Sequence, residues 1–119
     1  MKTTSQPGPR ADAALSQAMD GLWARFLPEL KARVAVLEAA EQAAGEGKLT
    51  AKQREAAQAA AHKLAGVLGT FGLTRGTVLA RELELTFARE SSPGRDAGAK
   101  LAGIAAQLRS MIESRKSSA

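Results

Sequence analysis

The chain has 119 residues, a length that allows one small domain with a single hydrophobic core. It contains no cysteine, which excludes disulfides, thiolate nucleophiles and cysteine-based zinc or iron–sulfur sites. The formal net charge is +5, and the lysines and arginines are spread along the chain rather than gathered in one basic block. We therefore expect most of these charges to lie on solvated helix surfaces, and nucleic-acid binding is the weakest functional hypothesis. The polar start and the lack of an apolar run of about 20 residues predict a soluble, cytoplasmic protein without a membrane span.

Composition and hydrophobic spacing favour helices throughout the chain. Hydrophobic residues make up 45% of the sequence and aromatic residues 3%, and helix-forming residues are abundant. The first helix is expected over residues 11–27, with Leu15 and Leu22 on its apolar stripe. Because Pro28 removes a backbone donor and suits a first helical turn, we predict a break or kink just before it and a second helical segment over 28–44.

Three further helices follow. Thr50 and Gln53 have the form of a capping box that starts a helix running to about Phe71, and Gly72 is expected to end it. The remaining predicted elements are a helix over 75–89, a turn at Ser91-Ser92-Pro93-Gly94 and a last helix over 96–114. Short loops between amphipathic helices predict an all-α fold. Its parts are an antiparallel four-helix bundle over 11–114, with an additional N-terminal helical segment, and flexible ends at 1–10 and 115–119.

The single histidine, His62, falls near the middle of the capped helix and faces away from its apolar stripe. At about 100° per residue, the side chains within about 60° of it are small or polar. They are Gln58, Ala59, Ala65, Gly66 and Gly69. The apolar stripe, on the opposite side, consists of Ala57, Ala60, Leu64, Val67, Leu68 and Phe71. We therefore expect an exposed imidazole with a clear surround.

Most functions of a lone histidine fit this position poorly. A structural role is disfavoured because the core stripe is already apolar. A metal site would have only carboxylates such as Glu55 to add, a hydrolytic triad would need a nucleophile motif that the sequence lacks, and no glycine-rich loop could hold ATP. What remains is a nucleophilic imidazole that accepts a phosphoryl group while a partner supplies the other groups.

The residues around His62 form a longer pattern: Ala61-His62-x-Leu64-x-Gly66, then Gly72, then Leu79 and Leu83-Glu84 on the following helix. This pattern resembles the histidine-containing phosphotransfer (HPt) domains of bacterial phosphorelays. The resemblance extends over nearly the whole chain and implies a four-helix bundle with an exposed phosphoacceptor. His62 would accept a phosphoryl group from a receiver-domain aspartate or a histidine kinase and pass it to a response regulator. The chain would then be a carrier without an ATP site or cofactor of its own, and Mg²⁺ would belong to the partner receiver.

One position departs from the family pattern. Many members have Lys or Arg three residues after the histidine, where this chain has Ala65. Lys63 and Gln58 are the candidates to steady a phosphoryl group in its place. Together with Ala59, Ala65, Gly66 and Gly69 they form the expected supporting or docking face of a monomeric protein. The alternative is a helical docking module that binds a receiver or kinase without carrying phosphate.

Overall fold

The fold is known from a computed structural model that describes the backbone of residues 9–89 and 95–115 and the side chains of 10–88 and 99–115. It contains four helices: α1 Pro9–Gly45, α2 Ala51–Thr70, α3 Thr74–Arg89 and α4 Arg95–Ser114. These described segments contain no strand, which confirms the all-α class. The predicted turn at 91–94 lies outside the described residues, as do nearly all residues of the predicted flexible ends.

The four helices form a closed bundle in which neighbours in sequence are neighbours in space. α1 contacts α2 and α4, and α3 contacts the same two helices from the other side. The short connections at 46–50 and 71–73 reverse the chain between successive helices, so α1, α2 and α3 run antiparallel. The predicted four-helix bundle is therefore confirmed.

The first helix differs from the prediction at Pro28. α1 passes through this residue without interruption, so the predicted break is wrong and the additional N-terminal segment is continuous with the first bundle helix. A proline inside a helix removes one backbone hydrogen bond and costs about 3 kcal/mol. Trp23 and Leu30, on either side of Pro28, are both buried in the core. Their burial stabilises the helix on both sides of Pro28 despite the lost hydrogen bond.

The N-terminal part of α1 projects beyond the bundle. At about 1.5 Å per residue, 37 residues span roughly 55 Å, whereas the 20 residues of α2 span roughly 30 Å. The molecule is accordingly elongated, 65 × 25 × 20 Å. Leu15 is 62% exposed and Leu22 is also exposed, so their predicted place on a buried stripe is wrong. Periodicity identified the right side of the helix, but no other helix extends far enough to cover it.

The core is built from the inward side of each helix. Its largest fully buried side chains are Leu30, Val34, Leu37, Leu64, Leu68, Leu83, Phe87, Leu101, Leu108 and Ile112. At one end of the bundle the rings of Trp23 and Phe71 pack edge to face with centroids 5.0 Å apart. The guanidinium of Arg115 lies 4.8 Å from the centroid of Trp23, which places the first residue after α4 against this aromatic pair.

A charged clamp joins α1 to α4. The guanidinium of Arg109 donates two hydrogen bonds of 2.7 Å to the carboxylate of Glu38 and a third of 3.1 Å to Glu113. The hydrogen bonds from Arg109 hold the pKa of Glu38 below its ordinary value of 4.5, against an opposing effect of burial. Fork-shaped pairing of this kind is stronger than a single surface ion pair, because both carboxylate oxygens are held.

Replacing Arg109 by Met should lower the free energy of unfolding by about 1 to 2 kcal/mol at pH 7, since the pair is only partly shielded from solvent. A carboxyl whose pKa is depressed by folding stabilises the fold above its ordinary pKa and loses that effect as the pH falls through the folded value. The difference in free energy of unfolding between wild type and variant should therefore shrink below about pH 4.5, the ordinary pKa of the Glu38 carboxyl. Urea unfolding at several pH values measures it, with Arg25→Met on the exposed side of α1 as control. A constant difference down to pH 3 would contradict this assignment.

Candidate functional site

The helix that presents His62 is fixed at both ends. At its start the hydroxyl of Thr50 accepts from the amide of Gln53 and the Gln53 side chain accepts from the amide of Thr50, each at 3.0 Å, which confirms the predicted capping box. At its end Gly72 adopts a φ of +73°, a conformation that favours glycine, and the chain turns into α3. His62 therefore lies in the rigid middle of α2 rather than in a loop.

The imidazole of His62 is exposed, and in the described part of the chain it makes one polar contact. Its side chain is 73% exposed, as predicted, and Nδ1 lies 2.8 Å from a carboxylate oxygen of Glu84 on α3. An ionised carboxylate can only accept a hydrogen bond, so this contact assigns the proton of the neutral ring to Nδ1. The lone pair of Nε2 is then directed away from Glu84. The contact thus orients the ring, and Nε2 has no hydrogen-bond partner among the residues that the structure describes.

The sequence contained a signal for this pairing that periodicity alone does not reveal. His62 and Glu84 each lie eleven residues from Leu73, in the turn between α2 and α3. In an antiparallel pair of helices with equal rise, residues equidistant from the turn lie level with each other. The family pattern in the sequence includes Glu84, whereas the contact of Glu84 with His62 follows from the antiparallel pairing of α2 and α3.

An open depression lies beside the imidazole. It has a volume of about 280 Å³ and is lined by Glu55, Gln58, Ala59, His62, Lys63 and Glu84. Three residues of the predicted supporting set, Gln58, Ala59 and Lys63, are therefore gathered at His62. Gly66 and Gly69 are exposed one and two turns further along α2. A Cβ added at Gly66 would meet no atom within 4 Å, so the helix surface there is clear.

Ala65 is the member of the predicted set that the structure places elsewhere. It is buried, and its carbonyl accepts a 3.2 Å hydrogen bond from the hydroxyl of Thr77 on α3. The prediction of an exposed Ala65 is wrong because α3 covers this flank of α2, although Ala65 is within about 60° of His62 on the helical wheel. Among the residues that line the depression, Lys63 is the one lysine or arginine.

In the described part of the chain, no group of three or more histidine, cysteine or acidic side chains is arranged to hold a metal ion. Within the same ranges, no helix is both long and apolar enough to span a bilayer.

Comparison with known proteins identifies relatives of this site. A family model described as "Hpt domain" matches residues 21–117, which include all of α2 and α3. The protein RcaC of Microchaete diplosiphon is 40% identical over 62 residues, a stretch that covers 52% of this chain and 10% of RcaC. The chain thus corresponds to a small part of that relative's length. No solved structure matches.

Two glycines on opposite sides of the hairpin should respond oppositely to alanine. Gly66→Ala should raise the free energy of unfolding by about 0.5 to 1 kcal/mol, because alanine favours a helix interior and the new Cβ has open space. At Gly76 a Cβ would lie 2.9 Å from Met111 Sδ and 3.0 Å from Leu68 Cδ1. Displacing these side chains costs about 1 to 3 kcal/mol, which should outweigh the alanine gain of about 1 kcal/mol, so Gly76→Ala should destabilise by up to about 2 kcal/mol. Chemical denaturation of both variants measures the contrast. Equal changes in the free energy of unfolding would show that the space around the two glycines does not determine the effect of alanine there.

Proposed function

Because the chain belongs to the HPt domain family, whose members are phosphotransfer carriers in two-component signalling and not kinases, we propose that His62 is its phosphoacceptor. In this proposal His62 accepts a phosphoryl group from a receiver-domain aspartate or a histidine kinase and passes it to a response regulator. The observation that carries the proposal is the 2.8 Å contact of Nδ1 with Glu84 on a largely exposed ring. It leaves Nε2 available to a partner and fixes the direction in which that partner must approach.

The transfer step follows from this arrangement. The Nε2 lone pair attacks the phosphorus of an aspartyl phosphate on the partner, an N–P bond forms, and the P–O bond to the aspartate breaks to release its carboxylate. The ring gains positive charge as the N–P bond forms, because Nδ1 keeps its proton. The carboxylate of Glu84, hydrogen-bonded to Nδ1, stabilises that charge. The reverse sequence returns the phosphoryl group to an aspartate.

The small residues of α2 give the phosphoryl group and the partner room to approach. Ala59 lines the depression, and the helix surface at Gly66 is clear, so neither blocks attack in line with the breaking bond. Lys63 and Gln58 also line the depression and carry nitrogen donors that suit phosphoryl oxygens. We assign them the steadying role that the family's Lys or Arg has at the position of Ala65.

In this proposal the partner receiver supplies the metal ion for the transfer. The receiver would hold the Mg²⁺ that neutralises charge on the phosphoryl group, so no cofactor is assigned to the HPt chain itself. A cytoplasmic location and a monomeric state stay predictions from the sequence.

His62→Gln should abolish acceptance of the phosphoryl group. Receiver domains of the source organism, phosphorylated with radiolabelled acetyl phosphate, are incubated with wild type and variant, and label on the HPt chain is followed by gel electrophoresis. Glutamine is polar and favours helix, so the exposed position should keep its fold. Label on wild type alone supports the proposal. Equal label on both proteins would overturn it, and unlabelled wild type that still binds a receiver would favour the docking-module alternative.

Glu84→Gln should slow transfer by on the order of 10- to 100-fold, by analogy with the loss when the carboxylate that orients a metal-binding histidine is changed. The amide keeps the size of the side chain but removes the charge that stabilises the phosphorylated ring. Nitrogen-15 NMR of the imidazole should show the Nδ1-protonated tautomer dominating in wild type and losing ground in the variant. Glu55→Gln, which removes a carboxylate of the same depression that does not touch His62, is the matched control. An unchanged tautomer ratio in Glu84→Gln would show that Glu84 does not position the ring.

A further inference from the structure

The outer side of α3 exposes two large apolar side chains. Val78 is 58% exposed and Leu85 is 57% exposed. They lie seven residues apart, which puts them two turns apart on one side of the helix, with exposed Arg81 between them. The buried side of α3 is formed by Gly76, Leu79, Ala80, Leu83 and Phe87. We call Val78, Arg81 and Leu85 the α3 ridge.

We propose that the α3 ridge is the docking surface for the receiver domain that exchanges phosphate with His62, and that it sets the affinity for that receiver. The inference rests on the proposed function. Leu85 directly follows Glu84, whose carboxylate accepts the hydrogen bond from the imidazole of His62. The ridge therefore begins beside the acceptor and continues along α3 towards the turn that joins it to α2.

A receiver docked at His62 would be large enough to cover the α3 ridge. A stable interface covers about 800 Å² on each protein, which corresponds to a disc of about 16 Å radius. Val78 lies six residues before Glu84, or about 9 Å along the helix axis. A receiver whose aspartate reaches Nε2 of His62 would thus cover both apolar side chains of the ridge.

The residues of α2 around His62 cannot supply the apolar part of this interface. Ala59, Gly66 and Gly69 are exposed but small, so they provide clearance and little apolar area. Binding energy in interfaces is concentrated in a few well-buried side chains near the centre, surrounded by polar groups. Near His62, Val78 and Leu85 are exposed side chains large enough for that role.

Charge favours a receiver over other occupants. Arg81 has no ion pair or hydrogen bond among the described residues, whereas the neighbouring Glu82 is paired with Lys100 at 3.1 Å. A receiver that holds Mg²⁺ beside its aspartate needs carboxylates at that surface, because Mg²⁺ prefers oxygen ligands. Arg81, on a chain of net charge +5, is placed to meet such an acidic surface.

The test compares exposed apolar residues inside and outside the expected footprint. The double variant Val78→Ser/Leu85→Ser is compared with Leu15→Ser, whose side chain is 62% exposed. Leu15 lies eight residues before Trp23, whose ring packs on Phe71, and Phe71 lies nine residues beyond His62. Leu15 is therefore about 25 Å from His62 along the bundle axis. Transfer from acetyl-phosphate-treated receiver domains is measured against the concentration of the HPt chain. We expect the half-saturating concentration to rise about 10-fold for the double variant, with the rate at saturation unchanged, and no effect of Leu15→Ser.

Arg81→Glu provides a second measurement that does not depend on the apolar residues. It should weaken binding to the same receivers, and the loss should be greatest at low salt, where charge attraction is least screened. A half-saturating concentration unchanged in both the double variant and Arg81→Glu, or raised equally by Leu15→Ser, would overturn the docking surface while leaving His62 as the acceptor. Wild type that takes no label from any receiver would instead contradict the proposed function and, with it, the docking surface.

Discussion

The close antiparallel packing of α2 against α3 is the constraint on which the site depends. Ala61 and Ala65 are both buried at this seam, and their small side chains let the two helices approach until Thr77 can bond the carbonyl of Ala65. The turn at Gly72 fixes the register, so that His62 and Glu84 come level. Without this register the imidazole would remain exposed, but neither its proton nor its orientation would be defined.

Small residues therefore have two different tasks in the same hairpin. On the seam they allow close packing, as at Gly76, where a Cβ would lie within 3.0 Å of side chains from α2 and α4. On the outer side of α2 they leave space, as at Gly66, where a Cβ would meet nothing. A glycine in an exposed helix interior lowers stability relative to alanine. Packing explains the first glycine, and the proposed function would explain the second as clearance for a partner.

Much of this could be predicted from the sequence, and the failures share one cause. The capping box at Thr50, the stop at Gly72 and the outward position of His62 are local properties that residue spacing reports directly. The continuity of α1 through Pro28 and the burial of Ala65 depend on which helix packs against each flank. Spacing defines the direction of a side chain from its own axis but not the neighbour that it meets. Glu84 is the intermediate case, since its contact follows once the hairpin register is considered.

The proposed chemistry also separates reactivity from recognition. An imidazole oriented by Glu84 would react in the same way with any aspartyl phosphate brought to Nε2, because the attacking atom and its charge stabilisation are the same for every partner. Discrimination between receivers is a difference of binding free energies and must come from contacts away from the reacting atoms. The small residues around His62 offer little to distinguish one partner from another. If His62 is the acceptor, as proposed, selectivity would depend on the side chains that surround it at a distance of one or two helical turns.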